Sequence, residues 1–118
     1  MDVKDLMVGD WVEFEGEFRQ INTIPSDEEV TFEGTIEKYA SDCNPIPLTS
    51  EILEKNGFER VFDYYGMHWH NDILQFFDIY GDNERGFIIE DHALIRCKYV
   101  HEFQHLLKLC GVTKEIMV

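Results

Sequence analysis

Residues 101–105 read His-Glu-Phe-Gln-His. This is the H-E-x-x-H spacing with which zinc peptidases set two imidazoles one helical turn apart and a glutamate beside the first as general base. Such a site needs a third protein ligand and a cleft for its histidines to face. Glu115 is the single carboxylate side chain after His105, and the extended form of the motif fails, with Lys108 at its glycine. Three fixed letters are also cheap, arising by chance in roughly 2 % of shuffled chains of this composition. At about 100° per residue, Tyr99, Val100, Phe103, Leu106, Leu107 and Cys110 form one wide apolar stripe, which puts His101 and His105 on the opposite side near Lys108. The expectation is a solvated imidazole face that holds neither metal nor cofactor. A zinc-dependent hydrolase using His101 and His105, with Glu102 as base, is the alternative.

Other constellations are weaker still. In "MHWH" a strand would put His68 and His70 on one face and Trp69 on the other, but two ligands make no site. The following Asn71, Asp72, Ile73, Leu74 and Gln75 lack the glutamate a cupin-like site adds. His92 would approach only if a hairpin closes around Asn83 and sets it near Leu74. "GDNERG" is turn chemistry, without the strand-to-helix context or Lys-Ser/Thr pair of a phosphate loop. No nucleophile elbow occurs, and no cysteine has an electropositive setting. No catalytic residue is assigned.

Charge excludes more than any motif proposes. The 118 residues carry 24 acidic and 10 basic side chains, a net charge of -14 and a pI near 4.5. Such a surface repels phosphate, which argues against nucleic-acid and anionic-membrane binding. It serves solubility, or it offers carboxylates to a basic partner, at the extreme as a mimic of DNA. A 44 % hydrophobic and 14 % aromatic content requires a packed core. Cys43, Cys97 and Cys110 have neither even number nor C-x-x-C spacing, so reduced thiols are expected. The start "MDVKDLMVGDW" lacks a cationic segment followed by an apolar run, and nowhere do about 18 apolar residues occur together, so the chain is placed in the cytoplasm.

The elements that would position these groups read as α+β. "GDWVEFEGEFRQINTI" is a hairpin turning at Glu15-Gly16, with Val12 and Phe14 alternating against Trp11, Glu13 and Glu15. Val30, Phe32 and Ile36 then alternate with acidic and threonine positions as a half-buried strand. Together these suggest a small bent antiparallel sheet or partial barrel, similar in layout to Src-homology-3 and KOW barrels. In residues 42–59 two prolines hold the chain extended. Thr49 then caps a short helix, Leu48 and Leu53 staple it, and Gly57-Phe58 ends it. Residues 60–98 form a meander of three to five antiparallel strands, apolar on both faces over 73–80, and a last helix runs from Tyr99 to Gly111 to cover it. One domain is expected, subdivided into residues 1–41 and 42–118.

Three stretches in order, "DLMVGDWV", "NPIPLTSEILEKNGFE" and "KYVHEFQHLLKLCGV", resemble a family of small proteins of Bacteroidetes genomes and their prophages. Its members share a Gly-Asn/Asp-x-Val start, a Pro-Ile-Pro-Leu-Thr helix ending in Gly-Phe, and a Val-His-x-Leu-Gln-Asn-Leu terminal helix. The resemblance implies that His101 and Gln104 are shared, that the position of His105 is typically asparagine, and that Glu102 alternates with glutamine. It supplies no activity to carry over and suggests a structural or partner-contact role for His101 and Gln104. The resulting expectation is a non-enzymatic protein-binding module of prophage or mobile-element origin. Its partner contacts would be exposed Trp11, Tyr65 and Trp69 with His101 and Gln104, its partner is a protein, and self-association is compatible with the sequence.

Overall fold

The structure, a computed structural model, describes residues 1–63, 66–70, 78–82, 86–90 and 94–118. It divides into two compact units, Met1–Ile46 and Pro47–Val118.

The first unit is a curled five-stranded antiparallel half-barrel. Its strands are β1 (Trp11–Phe14), β2 (Glu17–Thr23), β3 (Glu29–Phe32), β4 (Lys38–Tyr39) and β5 (Cys43–Pro45), in the sheet order β4-β3-β2-β1-β5. A 3-10 turn, Ala40–Asp42, leads into β5, which returns to pair with β1. That is the expected Src-homology-3-like layout, and because β5 belongs to the first sheet the unit runs past residue 41. The β1–β2 hairpin turns on Glu15 at φ 50° and Gly16 at φ 80°. Two consecutive left-handed residues give the mirror-image turn whose twist matches the strands it joins. Alternation then aims Val12 and Phe14 inward. They join Leu6, Ile21, Val30, Phe32, Ala40 and Cys43 in one core, with the Phe14 and Phe32 rings 5.3 Å apart.

Two features depart from simple alternation. Ile36, expected to continue the strand of Val30 and Phe32, is 74 % exposed. The strand stops at Phe32 because the chain turns there. Gly34 takes φ 76°, the Thr35 N–H donates to Phe32 O (3.1 Å), and the Thr35 hydroxyl accepts from Phe32 N (3.0 Å). The second is Asp10, fully buried at the start of β1. Its Oδ2 accepts from Met7 N at 2.8 Å, so the Gly-Asp turn is closed by a carboxylate rather than by apolar contact.

The second unit opens on α1 (Ser50–Lys55), whose local chemistry matches its sequence in detail. Thr49 Oγ1 accepts from Ile52 N at 3.2 Å, and the staple residues Leu48 and Leu53 are each 1 % exposed. Gly57 at φ 84° closes the helix with Phe58 N donating to Leu53 O and Gly57 N to Glu54 O, both at 3.0 Å, the paired bonds of a glycine-terminated helix. Five strands follow in a meander, β6 (Glu59–Asp63), β7 (Gly66–His70), β8 (Asp78–Asp82), β9 (Gly86–Glu90) and β10 (Leu94–Cys97), ordered β10-β9-β8-β7-β6. Trp69, Ile79, Phe87, Ile89 and Cys97 are buried. The doubly apolar stretch expected over 73–80 lies mostly outside the described residues, as do Tyr65 and His92.

The last helix, α2 (Val100–Leu109), buries Val100, Phe103, Leu106 and Leu107, and the Phe103 ring meets Phe58 edge-on at 5.8 Å. Gly111 at φ 74° ends it with Val112 N donating to Leu107 O. Beyond it, residues 113–118 are strapped to the end of α1. The buried Asn56 amide donates to Ile52 O and Met117 O (both 2.7 Å), and its Oδ1 accepts from Met117 N (2.8 Å). One side chain thereby satisfies both main-chain groups of Met117, as a neighbouring strand would.

Candidate functional site

The H-E-x-x-H segment forms the first turn and a half of α2. Glu102 stands at the third position of the helix, where a carboxylate can reach back to the main chain before it. Its Oε1 accepts from Tyr99 N at 2.9 Å and from Lys98 N at 3.0 Å. The oxygen a peptidase would use as base is therefore spent on two amide donors that the helix start would otherwise leave open. Among the described residues no group of three or more His, Cys, Asp or Glu side chains is placed to hold a metal ion.

The imidazoles are not where the apolar stripe puts them. His101 is 7 % exposed and Gln104 8 %, while His105 is half-buried. The His101 ring stacks on Tyr99 at 5.9 Å and 15° and meets His105 edge-on at 5.7 Å and 77°. The expected solvated face is thus corrected. Residues 101 and 104 lie one turn apart at the margin of the stripe, and the helix is covered across that margin. Cys110, expected within the stripe, is exposed because it is the residue that ends the helix. His101 and Gln104 therefore serve packing within the second unit and offer little surface to a partner.

The aromatic anchors fare unevenly. Trp69 is 1 % exposed and lies under the Arg60 guanidinium, 5.1 Å from the ring centre; it is a core residue, which corrects its expected exposure. Trp11 is half-buried. His68 and His70 lie in β7, level with Val61 and Glu59 of β6. Cys43 and Cys97 are buried and have no nucleophilic setting. Burial, and secondarily the Glu102 carboxylate, push Cys97 up to about 12, and burial raises Cys43 as well, opposed by the charge on the Met1 nitrogen.

Sequence reading missed a hollow of about 600 Å³ in the first unit, lined by Asp2, Val3, Asp27, Glu28, Tyr39 and Ser41 among others. Three connections assemble it. The β3–β4 register sets Tyr39 opposite Glu29, Ala40 N donates to Glu28 O at 2.8 Å, and the Met1 nitrogen donates to Ala40 O at 2.9 Å and Cys43 O at 3.0 Å. Tyr39 is 59 % exposed beside it. Carboxylates next to an open aromatic face suit an ammonium or guanidinium group. No local pattern marks these residues, since they come from three separate stretches of chain.

No protein-family model, curated protein or solved structure matches the chain. No helix among the described residues is long and apolar enough to cross a membrane.

Proposed function

We propose that the protein is a non-enzymatic binding module whose amino-terminal half-barrel receives a basic segment of a protein partner. The observation that carries this reading is the distribution of charge. Residues 1–46 contain 12 acidic and 3 basic side chains, so this unit holds -9 of the net -14. All three basic side chains are occupied locally, and the Met1 ammonium, which also borders the hollow, donates to Ala40 O and Cys43 O. Lys4 lies 3.7 Å from Asp2, Arg19 lies 3.7 Å from Glu17 and over the Phe32 ring, and Lys38 sits over the Phe14 ring. Most of the carboxylates therefore face solvent without a counter-charge from their own unit, and a cationic segment would find complementary potential there. The resemblance to prophage proteins supports a host-cell protein as the partner. Against a hydrolase stands the use of Glu102 as a helix cap.

The test uses a fluorescent peptide of mixed Lys, Arg, Gly and Ser, with a Gln-for-Lys/Arg control. The basic peptide should bind, the control should not, and affinity should fall as salt rises. Tyr39→Ala combined with Asp27→Asn and Glu28→Gln should weaken binding at least tenfold. Equal binding by the variant would show a diffuse counter-ion effect and remove the hollow as the site.

A further inference from the structure

We propose that the end of α1 is a binding site for an extended segment of a protein partner, and that the strap of residues 113–118 is the chain's own occupant of that site. The segment it takes has a basic residue, any residue, an aliphatic residue, and then any residue but proline. The site lies within the second unit and shares no residue with the hollow of the half-barrel.

The strap shows what the site reads. Its residues alternate as a strand's do: Val112, Lys114 and Val118 are half-buried and Ile116 is buried, while Thr113, Glu115 and Met117 are exposed. Among the described residues, however, no strand pairs with it. The Asn56 carboxamide takes the place of a ladder. It donates to Met117 O and accepts from Met117 N, so it recognises main chain, and the Met117 side chain is left 62 % exposed. Proline at that position would lack the N–H. One residue earlier, Ile116 is 4 % exposed and supplies the apolar anchor. Two residues before that, Lys114 Nζ donates to Asn56 O at 2.6 Å, at the end of α1, where helix carbonyls are open and a cation is favoured. Beyond the clamp, Lys55 Nζ donates to Val118 O at 3.0 Å. Main-chain bonds that accept any sequence, with pockets for alternate side chains, are how extended peptides are recognised. The helix also exposes Glu51 and Glu54, which favours a basic partner segment over an acidic one.

The way the strap is held suits exchange. Ile116 is its one buried side chain, and where it leaves α2 it runs beside a hollow of about 590 Å³ lined by Gly111, Val112, Thr113 and Lys114. A segment with one anchor and no ladder opens by itself, without unfolding the helices beside it. Because it is tethered, it competes at an effective concentration on the order of millimolar, and a free segment gains when the strap's anchor is weakened.

The probe is a fluorescent peptide, Val-Thr-Lys-Glu-Ile-Met-Val, titrated against the full chain. Ile116→Ser, which removes the strap's own anchor, should bind it roughly tenfold more tightly than the wild type does. Serine for the peptide's isoleucine, or a methyl group on its methionine nitrogen, should each weaken binding to Ile116→Ser roughly tenfold, and glutamine for its lysine about threefold. A peptide that keeps only the pattern, Gly-Ser-Arg-Ser-Leu-Ser-Ala, should bind within about threefold of the first. In the wild type, the Met117 amide should exchange its hydrogen roughly tenfold faster than the Leu107 amide of α2. Equal exchange rates overturn the proposal whether or not Ile116→Ser folds, because the strap would then open only with the whole unit. So does a folded Ile116→Ser chain that binds no better than wild type, or one that takes the serine or N-methyl peptide equally well. Failure of the pattern peptide would confine the site to the chain's own strap, and a wild-type dimer that the first peptide dissociates would put a second copy's strap there; either result excludes the partner segment.

Discussion

The two units solve the burial of polar groups differently. In the half-barrel, alternation is most of the account: Val12, Phe14, Ile21, Val30 and Phe32 point inward and a mainly polar set points outward, with Asp10 as the one buried carboxyl group among its described residues. The second unit buries Asn56, His101 and Gln104 alongside its apolar residues, and spends Asn56 and Glu102 on main-chain groups that its short helices and strap would otherwise leave unsatisfied. A small sheet closes most of its own backbone bonds through the ladder, whereas helix ends and an irregular strap need side chains to do so. Polar residues in the second unit are therefore poor guides to chemistry, because many are structural.

This contrast can be broken by measurement. In the half-barrel the apolar face should dominate: Phe32→Ala should cost about 4 kcal/mol in urea unfolding, whereas Ile36→Ser, one strand-length on but 74 % exposed, should stay within about 0.5 kcal/mol. Equal losses would show that Ile36 belongs to the core after all. In the second unit the sharpest lever is the Cys97 thiol, raised from 9.0 to about 12. The folded state holds that proton where the unfolded chain has released it. Stability is thus fully present below pH 9 and declines as pH rises toward 12, by up to roughly 4 kcal/mol at the top of that window. Unfolding midpoints at pH 7.5 and 10.5 should show the decline, and Cys97→Ala should flatten it. An unchanged midpoint would mean that the thiol is reached by water. Cys110, exposed, should meanwhile react with thiol reagents in the folded protein.

A smaller effect separates a cap from a catalyst. Glu102→Ala should cost about 1.5 kcal/mol by opening two amide donors, and Glu102→Gln should recover most of it, since glutamine also serves at this position of a capping box. A general base could not be replaced by glutamine. Elemental analysis of untagged protein adds an independent arm: zinc near one per chain would contradict the capping account.

Much of the fold was legible because its signals are local. Glu15-Gly16, Thr49 with Leu48 and Leu53, Gly57 with Phe58, and Gly111 with Val112 each act within a few residues, and each does what its chemistry specifies. The errors came where a neighbour had to be known. Ile36 continued a pattern of alternation that the Thr35 turn interrupts. Trp69 was read as exposed on a strand whose two faces could not be ranked from one sequence. His101 and His105 were assigned to water because a hydrophobic stripe records which residues gain by burial, and not which polar residues can be buried at little cost.

The chain's own letters determined its charge, its turns, its helix ends and the succession of strands, since these depend on side-chain chemistry acting over one turn of helix or one hairpin. Tertiary structure decided which side of α2 is covered, that Glu102 faces amide donors, that Asp27, Glu28 and Tyr39 border one hollow with Asp2, and that β10 lies at an edge. Each of those depends on strands and helices distant in sequence arriving beside one another, and a residue's environment is set by what arrives.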